Sequence, residues 1–292
     1  MPEISRRDFL TRTAIAAGAA AIAGHRAQAA ETAPRIRRGT DLVTLGNTGI
    51  RTSVLGMGTG SNGVRRSSRQ LRLGQAEFTR VIRHGIDRGL RYVDTADQYG
   101  THIFVREALK GVPREDLFIQ TKTRALHPEV AKVDLDRFRQ ELGTDYIDSL
   151  LMHGMGTETW PADMRSVMDV LAEAKEKKIV RAVGISCHGI APLRASTGCD
   201  WLDTQLAPMN PFGAVMDAPA EEYTECFQAL HDQGKGVLGM KLFACGGHVT
   251  PDERRQSLEF VLRLGCVDAF PIGFESPEQI DDVLDTIEKV LS

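Results

Sequence analysis

No stretch of this chain is long and apolar enough to stay in a bilayer as a spanning helix, and neither sign of charge dominates it. The 36 Lys and Arg are set against 39 Asp and Glu, a net charge of −3 with both signs interspersed. Nucleic acid needs a basic face that such mixing does not supply. Cysteine is sparse: Cys187, Cys199, Cys226, Cys245 and Cys266 are the full set. No C-x-x-C pair occurs among them, which argues against a zinc or iron–sulfur site, and the odd number argues against a disulfide framework. Most of them read as small buried hydrophobes. A dinucleotide fingerprint is missing too. Gly56-Met57-Gly58-Thr59-Gly60-Ser61-Asn62-Gly63 is glycine-rich but lacks the G-x-G-x-x-G spacing before an immediate helix, which counts against a doubly wound open sheet.

What is present begins with an address. Ser5-Arg6-Arg7-Asp8-Phe9-Leu10 has the twin-arginine form; a small-residue apolar stretch, Ala14 to Gly24, follows, and Ala27-Gln28-Ala29 makes an A-x-A cleavage site. Residues 1–29 are therefore expected to be a signal peptide read by the twin-arginine translocase, delivering the protein to the periplasm without stable membrane insertion. Residues 30–40 read as a polar, basic linker, and the folded domain is expected over 41–292.

Within that domain DLVTLGNTGIRTS alternates around Gly46-Asn47-Thr48-Gly49, a hairpin signal. Then one unit recurs: a short β-branched run, a loop, an amphipathic stretch. The runs are Val54–Met57, Tyr92–Thr95, Leu117–Lys122, Ile147–His153, Val180–Ser186, Trp201–Gln205, Gly236–Met240 and Ala269–Gly273. Helical patterns follow at Ala76–Arg88, Ile103–Leu109, Pro128–Leu142, Pro161–Lys177, Ala191–Ser196, Ala220–Gln233, Asp252–Leu264 and Pro277–Leu291. Strands alternating with helices imply a parallel sheet, and eight such units imply closure into an α/β fold of the (β/α)8 TIM-barrel type, with the hairpin plugging its bottom.

Ionisable groups close three of the apolar runs: Asp94 in YVDTADQYG, with Tyr99 five residues on, Lys122 in LFIQTKT, and His153 in SLLMHG. Burying an unpaired charge is costly, so such endings imply convergence on one site. In a barrel that site lies where strands run out into loops. An acid, a phenol, an ammonium and an imidazole together are the parts needed to protonate a carbonyl oxygen.

DTADQYG, FIQTK and LLMHG, in order on the second to fourth units after an N-terminal hairpin, resemble the aldo-keto reductase family over about residues 41–292. The resemblance implies reduction of an aldehyde or ketone by hydride transfer from NADPH or NADH, with a small carbonyl substrate as partner. It makes Tyr99 the proton donor, Lys122 the charge that lowers the phenol's pKa, Asp94 the partner of Lys122, and His153 a hydrogen-bond donor to the carbonyl. It places Thr59, Ser186, Gln205, Met240, Lys241, Glu275, Ser276 and Gln279 at the cofactor. Ser186 and Gln205 would hold the carboxamide, although Cys187 stands where relatives carry asparagine, and Met240 would replace a stacking aromatic ring. Lys241 would meet the pyrophosphate or snorkel at the rim.

The last loop, Ile272-Gly273-Phe274-Glu275-Ser276-Pro277-Glu278-Gln279, reads as a capping box with Ser276 as N-cap and Gln279 at N3. Where NADPH-preferring relatives place Lys or Arg, this chain has Gly273, Glu275 and Gln279, which leaves NADH open. Arg65, Arg66, Arg69 and Arg72 crowd the loop after the first strand, as a solvated loop or as a lid. Trp160, Phe212 and Phe243 are expected around an open apolar substrate pocket, and His102 and His188 at the same mouth. No histidine spacing supports a metal site. Two other readings are a non-catalytic cofactor-binding barrel and an aldolase or isomerase using Lys122 as a Schiff-base amine.

Overall fold

Leu45 and Ile50 flank the tight turn of an N-terminal hairpin, and both are buried because the hairpin tip is driven into the end of a barrel. The structure, a computed structural model, describes residues 36–292; the leader and the start of the linker lie outside the described residues. Strands β1 (Leu42–Thr44) and β2 (Arg51–Ser53) pair antiparallel, and Leu45 N–H donates to Ile50 O at 2.9 Å across the turn. Gly46, at φ +46°, touches the Gly234 carbonyl so closely that a Cβ would lie 2.3 Å from it. Only glycine fits there.

The barrel strands are β3 (Leu55–Gly58), β4 (Tyr92–Asp94), β5 (Phe118–Thr123), β6 (Ile147–Met155), β7 (Val180–Cys187), β8 (Thr204–Pro208), β9 (Gly236–Met240) and β10 (Phe270–Gly273). All are parallel, in the order β10-β3-β4-β5-β6-β7-β8-β9. A Leu238–Ala269 bridge, with Gly239 N–H donating to Ala269 O at 3.0 Å, joins β9 to β10 and closes the ring. Side chains alternate along each strand, and the inward row supplies Tyr92, Phe118, Leu151, Ala182, Leu206 and Leu238, which pack with Leu45 and Ile50 into the barrel core. Arg37–Ser292 form one compact unit, and among the described residues no helix is long and apolar enough to cross a membrane.

Helices cover the outside: α1 (Gln75–Asp87), α2 (His102–Ala108), α3 (Pro128–Leu142), α4 (Trp160–Asp163), α5 (Arg165–Glu176), α6 (Ile190–Ser196), α7 (Ala220–Asp232), α8 (Pro251–Arg263) and α9 (Pro277–Leu291). The helix expected over Pro161–Lys177 is two helices, broken at Met164, whose backbone leaves the helical region (φ −99°, ψ 9°). The strand expected at Trp201–Gln205 begins three residues later. Trp201 turns instead to α5, its indole N–H donating to Met168 O at 3.1 Å, and the strand runs on to Pro208. The expected capping box at Ser276 does not form: the Ser276 side chain caps nothing. Gln279 Oε1 instead accepts from Glu275 N–H at 2.7 Å, one residue before the cap. A capping box does form at Thr250 and Glu253, a T-x-x-E signal that the sequence carries in plain view.

Candidate active site

The inward row of β4 and β5 continues past the apolar core to Asp94 and Lys122, so the pair stands directly above packed hydrophobic side chains. Lys122 Nζ lies 2.5 Å from Asp94 Oδ1 and donates to Thr95 O at 2.9 Å. Gln120 Nε2 donates to the same carboxylate oxygen at 2.8 Å. Lys122 is 1%, Asp94 5% and His153 8% exposed. Burial acts to lower the Lys122 ammonium, but Asp94 and Tyr99 outweigh it and hold its pKa above the ordinary value.

Tyr99 ends a short 3-10 turn, Asp97–Tyr99, and its position is set from two sides. The glycine-rich loop after β3 packs on its ring, leaving no room for side chains at Gly60 or Gly63. On the other side Asp97 is gripped by Arg66 at 2.5 Å and Arg137 at 2.7 Å, and Arg137 also reaches Asp134 at 2.6 Å and Glu141 at 3.2 Å. Lys122 Nζ sits 5.0 Å from the Tyr99 ring centroid, and the Tyr99 and His153 rings meet edge to face at 5.6 Å.

Burial pushes the Tyr99 phenol above its ordinary pKa, and Lys122 opposes this only in part. Lys122 lowers the phenol as expected, but the net shift is upward, because the cost of desolvating a phenolate here exceeds the pull of the ammonium. His153 lies in β6 where its ladder with β7 slips between Met152 and Met155, the kind of irregularity that re-aims a side chain. Burial, with Lys122, Arg124 and His188 nearby, pushes its imidazole down to about 2, so it is neutral. Its Nδ1 is buried without a hydrogen-bond partner among the described residues.

These groups line one end of a cavity of about 940 Å³ at the C-terminal ends of the strands, near the upper end of small-molecule sites, roughly 300–1,000 Å³. Ser186, Met240, Lys241, Glu275 and Gln279 are also on its wall. Ser186 Oγ accepts from Gly154 N–H at 3.0 Å, which leaves its hydroxyl proton free to donate elsewhere. Thr59 and Gln205 are not on the wall. The Thr59 hydroxyl is engaged with Asp94 O at 3.0 Å and Thr101 Oγ1 at 2.8 Å. Gln205 bonds Cys187 Sγ at 3.4 Å through Nε2, while its buried Oε1 has no partner among the described residues. Ser276 is likewise off the wall; its hydroxyl holds the Glu278 carboxyl below its ordinary pKa.

Of the aromatic residues expected around the pocket, only Phe243 lines it. Trp160 is buried against α6 because its indole N–H finds an acceptor there, Pro192 O at 3.1 Å, and Phe212 stacks on His248 at 4.1 Å. His188 does line the mouth, but His102 does not: its Nδ1 donates to Glu141 at 2.7 Å and its Nε2 lies 2.8 Å from Thr121 Oγ1. Among the arginines after β3, Arg69 lines the cavity and meets Glu275 at 3.4 Å. Gln70 stitches the same loop to the last one, its Nε2 donating to Ser61 Oγ at 3.0 Å and Phe274 O at 3.4 Å. No cluster of side chains able to hold a metal ion occurs among the described residues.

Comparison with known proteins points the same way as the geometry. The chain is 30% identical over 151 residues to an aldo-keto reductase of Mycobacterium sp. (strain MCS), covering 48% of this chain and 46% of the relative. It is 39% identical over 107 residues to glycerol 2-dehydrogenase (NADP(+)) of Saccharomyces cerevisiae, covering 34% and 31%. Both alignments span less than half of the relative's length. Among solved structures, one described as an aldo-keto reductase from Pseudomonas aeruginosa superposes with a TM-score of 0.73 at 24% identity, covering 88% of this chain and 98% of that one. One from Bacillus halodurans superposes with a TM-score of 0.68 at 20% identity, covering 85% and 91%. These likenesses concern the fold. A model of the Aldo/keto reductase family matches residues 54–258, most of the chain. The chain belongs to the aldo/keto reductase family.

Proposed function

We propose that this protein is a nicotinamide-dependent carbonyl reductase with Tyr99 as the proton donor. The observation that carries the reading is the buried Asp94–Lys122 pair set against Tyr99 and His153 on one cavity wall. A bound reduced nicotinamide would supply the hydride. The residues present fit such a group: Ser186 has a free hydroxyl proton at the wall, and Met240 offers a polarizable thioether on the same wall. Lys241 and Arg69 put positive charge farther along the same wall.

Tyr99 rests as a neutral phenol, which is the form a proton donor needs. As its proton passes to the carbonyl oxygen, the forming phenolate faces the Lys122 ammonium, which Asp94 keeps charged and fixed in place. That stabilisation is preorganised, because the ion pair is already assembled. His153, a neutral imidazole, donates a hydrogen bond to the same oxygen and orients the carbonyl. The Schiff-base alternative is disfavoured, since an amine must lose its proton to attack and Asp94 holds Lys122 as the ammonium.

Cofactor preference turns on Glu275. Alone it would repel a ribose 2′-phosphate; paired with Arg69 it is neutralised, and the guanidinium restores a basic group from another part of the chain. This reading admits NADPH as well as NADH. The twin-arginine leader adds export to the periplasm in the folded state, and with it slow cofactor release, because free nicotinamide nucleotides are scarce there. Rapid exchange of bound nucleotide during dialysis would count against that part.

The experiment is a fluorescence titration of the full chain with NADPH and NADH in parallel, followed by aldehyde reduction with the nucleotide that binds. Saturable binding and turnover support the reductase. Binding without turnover selects the non-catalytic barrel, and no binding to folded, nucleotide-free protein removes the reading.

A further inference from the structure

Arginine occurs on the cavity wall at Arg69, Arg124 and Arg254. Arg69 meets Glu275 at 3.4 Å and Arg254 meets Asp282 at 2.9 Å. Arg124 has no carboxylate partner among the described residues. Its one side-chain contact is neutral, Nη1 donating to Gln98 Oε1 at 2.9 Å. Gln98 immediately precedes Tyr99 in the 3-10 turn, so the guanidinium is tethered beside the proton donor. Arg124 directly follows the last residue of β5, Thr123, and its exposed side chain lines the same cavity as Lys122.

The carboxylates of the cavity lie elsewhere. Asp94 is committed to Lys122, while Glu275, Glu278 and Asp282 belong to the loop after β10 and to α9, and β10 is three strands round the barrel from β5. Arg124 therefore brings to this end of the cavity a positive charge that no carboxylate among the described residues pairs. Beside burial, which acts first on it, the His153 imidazole is pushed down by the Lys122 and Arg124 charges. A planar guanidinium with free donors matches a carboxylate through paired hydrogen bonds.

We propose that Arg124 receives a carboxylate carried by the substrate itself, so that the site takes aldehydes or ketones bearing an acid group a few bonds from the carbonyl. The proposal rests on the reductase reading for its carbonyl and on Arg124 for its anion. With the carbonyl oxygen between Tyr99 and His153, a short acid-bearing chain extends toward Arg124 as its natural second anchor.

Two measurements separate these supports. In the first, kcat/KM is compared for succinic semialdehyde and butanal, which differ by the acid group, in the wild-type chain and in Arg124→Gln and Arg124→Lys. The wild type should favour the acid on the order of tenfold or more, chiefly through KM. Arg124→Gln should abolish the preference and Arg124→Lys should restore part of it. In the second, binding of 4-hydroxybutyrate and of 1-butanol is titrated calorimetrically, with no turnover required. The acid should bind the wild type at least tenfold more tightly than it binds Arg124→Gln, with no such difference for the alcohol. Equal binding of the acid to wild type and Arg124→Gln overturns the proposal, whatever the turnover. Butanal reduction as efficient as that of succinic semialdehyde overturns it while leaving the reductase standing. Failure to turn over either aldehyde, with acid binding still dependent on Arg124, sinks only the reductase.

Discussion

Gly60 lies so close to the ring of Tyr99 that a Cβ on it would sit 2.2 Å from Cε2. The glycine is there to leave room for the phenol, and Gly63 does the same from its own position, 2.3 Å from Cδ1. Gly60→Ala is accordingly expected to displace the proton donor while the barrel stays folded. Because small misplacements of reacting groups cost on the order of 100-fold, kcat should fall by about that factor with little change in nucleotide affinity. Steady-state kinetics beside a melting curve checks this; unchanged kcat would show that Tyr99 is not held by this contact.

Tyr99→Phe removes the proton donor but keeps the ring that packs against Gly60, Gly63 and His153. Losses from removing a general acid run to roughly 100–10,000-fold, and the expected loss is in kcat. The variant should bind NADPH or NADH as the wild type does. Wild-type turnover would end the assignment of Tyr99.

Asp94→Ala leaves the Lys122 ammonium buried without its counterion, and such a break costs about 3–5 kcal/mol. Replacing both partners, as in Asp94→Ala with Lys122→Met, removes the stranded charge and should recover most of that stability while leaving the enzyme inactive. Urea unfolding of the three proteins tests the coupling. A double variant as unstable as Asp94→Ala would mean that the pair is not the source.

His153 gives stability a pH dependence of known sign. Its folded pKa of about 2 lies below the ordinary 6.5, so between those values the unfolded chain binds a proton that the folded chain does not. The stabilisation is complete above pH 6.5 and is lost as pH falls, at about 1.4 kcal/mol per unit. Between pH 6.5 and 5 the contribution is roughly 2 kcal/mol. His153→Gln should show a shallower decline over that interval in denaturant titrations, and an identical slope would rule His153 out as its source.

The parts of the fold legible in the sequence are those written in local chemistry. Helices α3 and α9 begin where the sequence pattern predicts because Pro128 and Pro277 open their first turns, and Gly143, at φ +66°, closes α3. Asp94, Lys122 and His153 were legible because a polar group ending an apolar strand needs a reason to be there. The direction a loop residue faces is not written locally. Trp160 and His102 turned away from the mouth to satisfy hydrogen bonds with Pro192 O and Glu141. Arg69 and Glu275, 206 residues apart, meet only once the barrel closes. The glycines after β3 lack a phosphate-binding spacing, and Gly60 and Gly63 instead give steric room to a ring that comes from the next strand's loop.

The hairpin that fills the barrel floor with Leu45 and Ile50 gives the cleft the traffic of a cul-de-sac. With that end filled, the mouth at the C-terminal ends of the strands is the way in and out among the described residues.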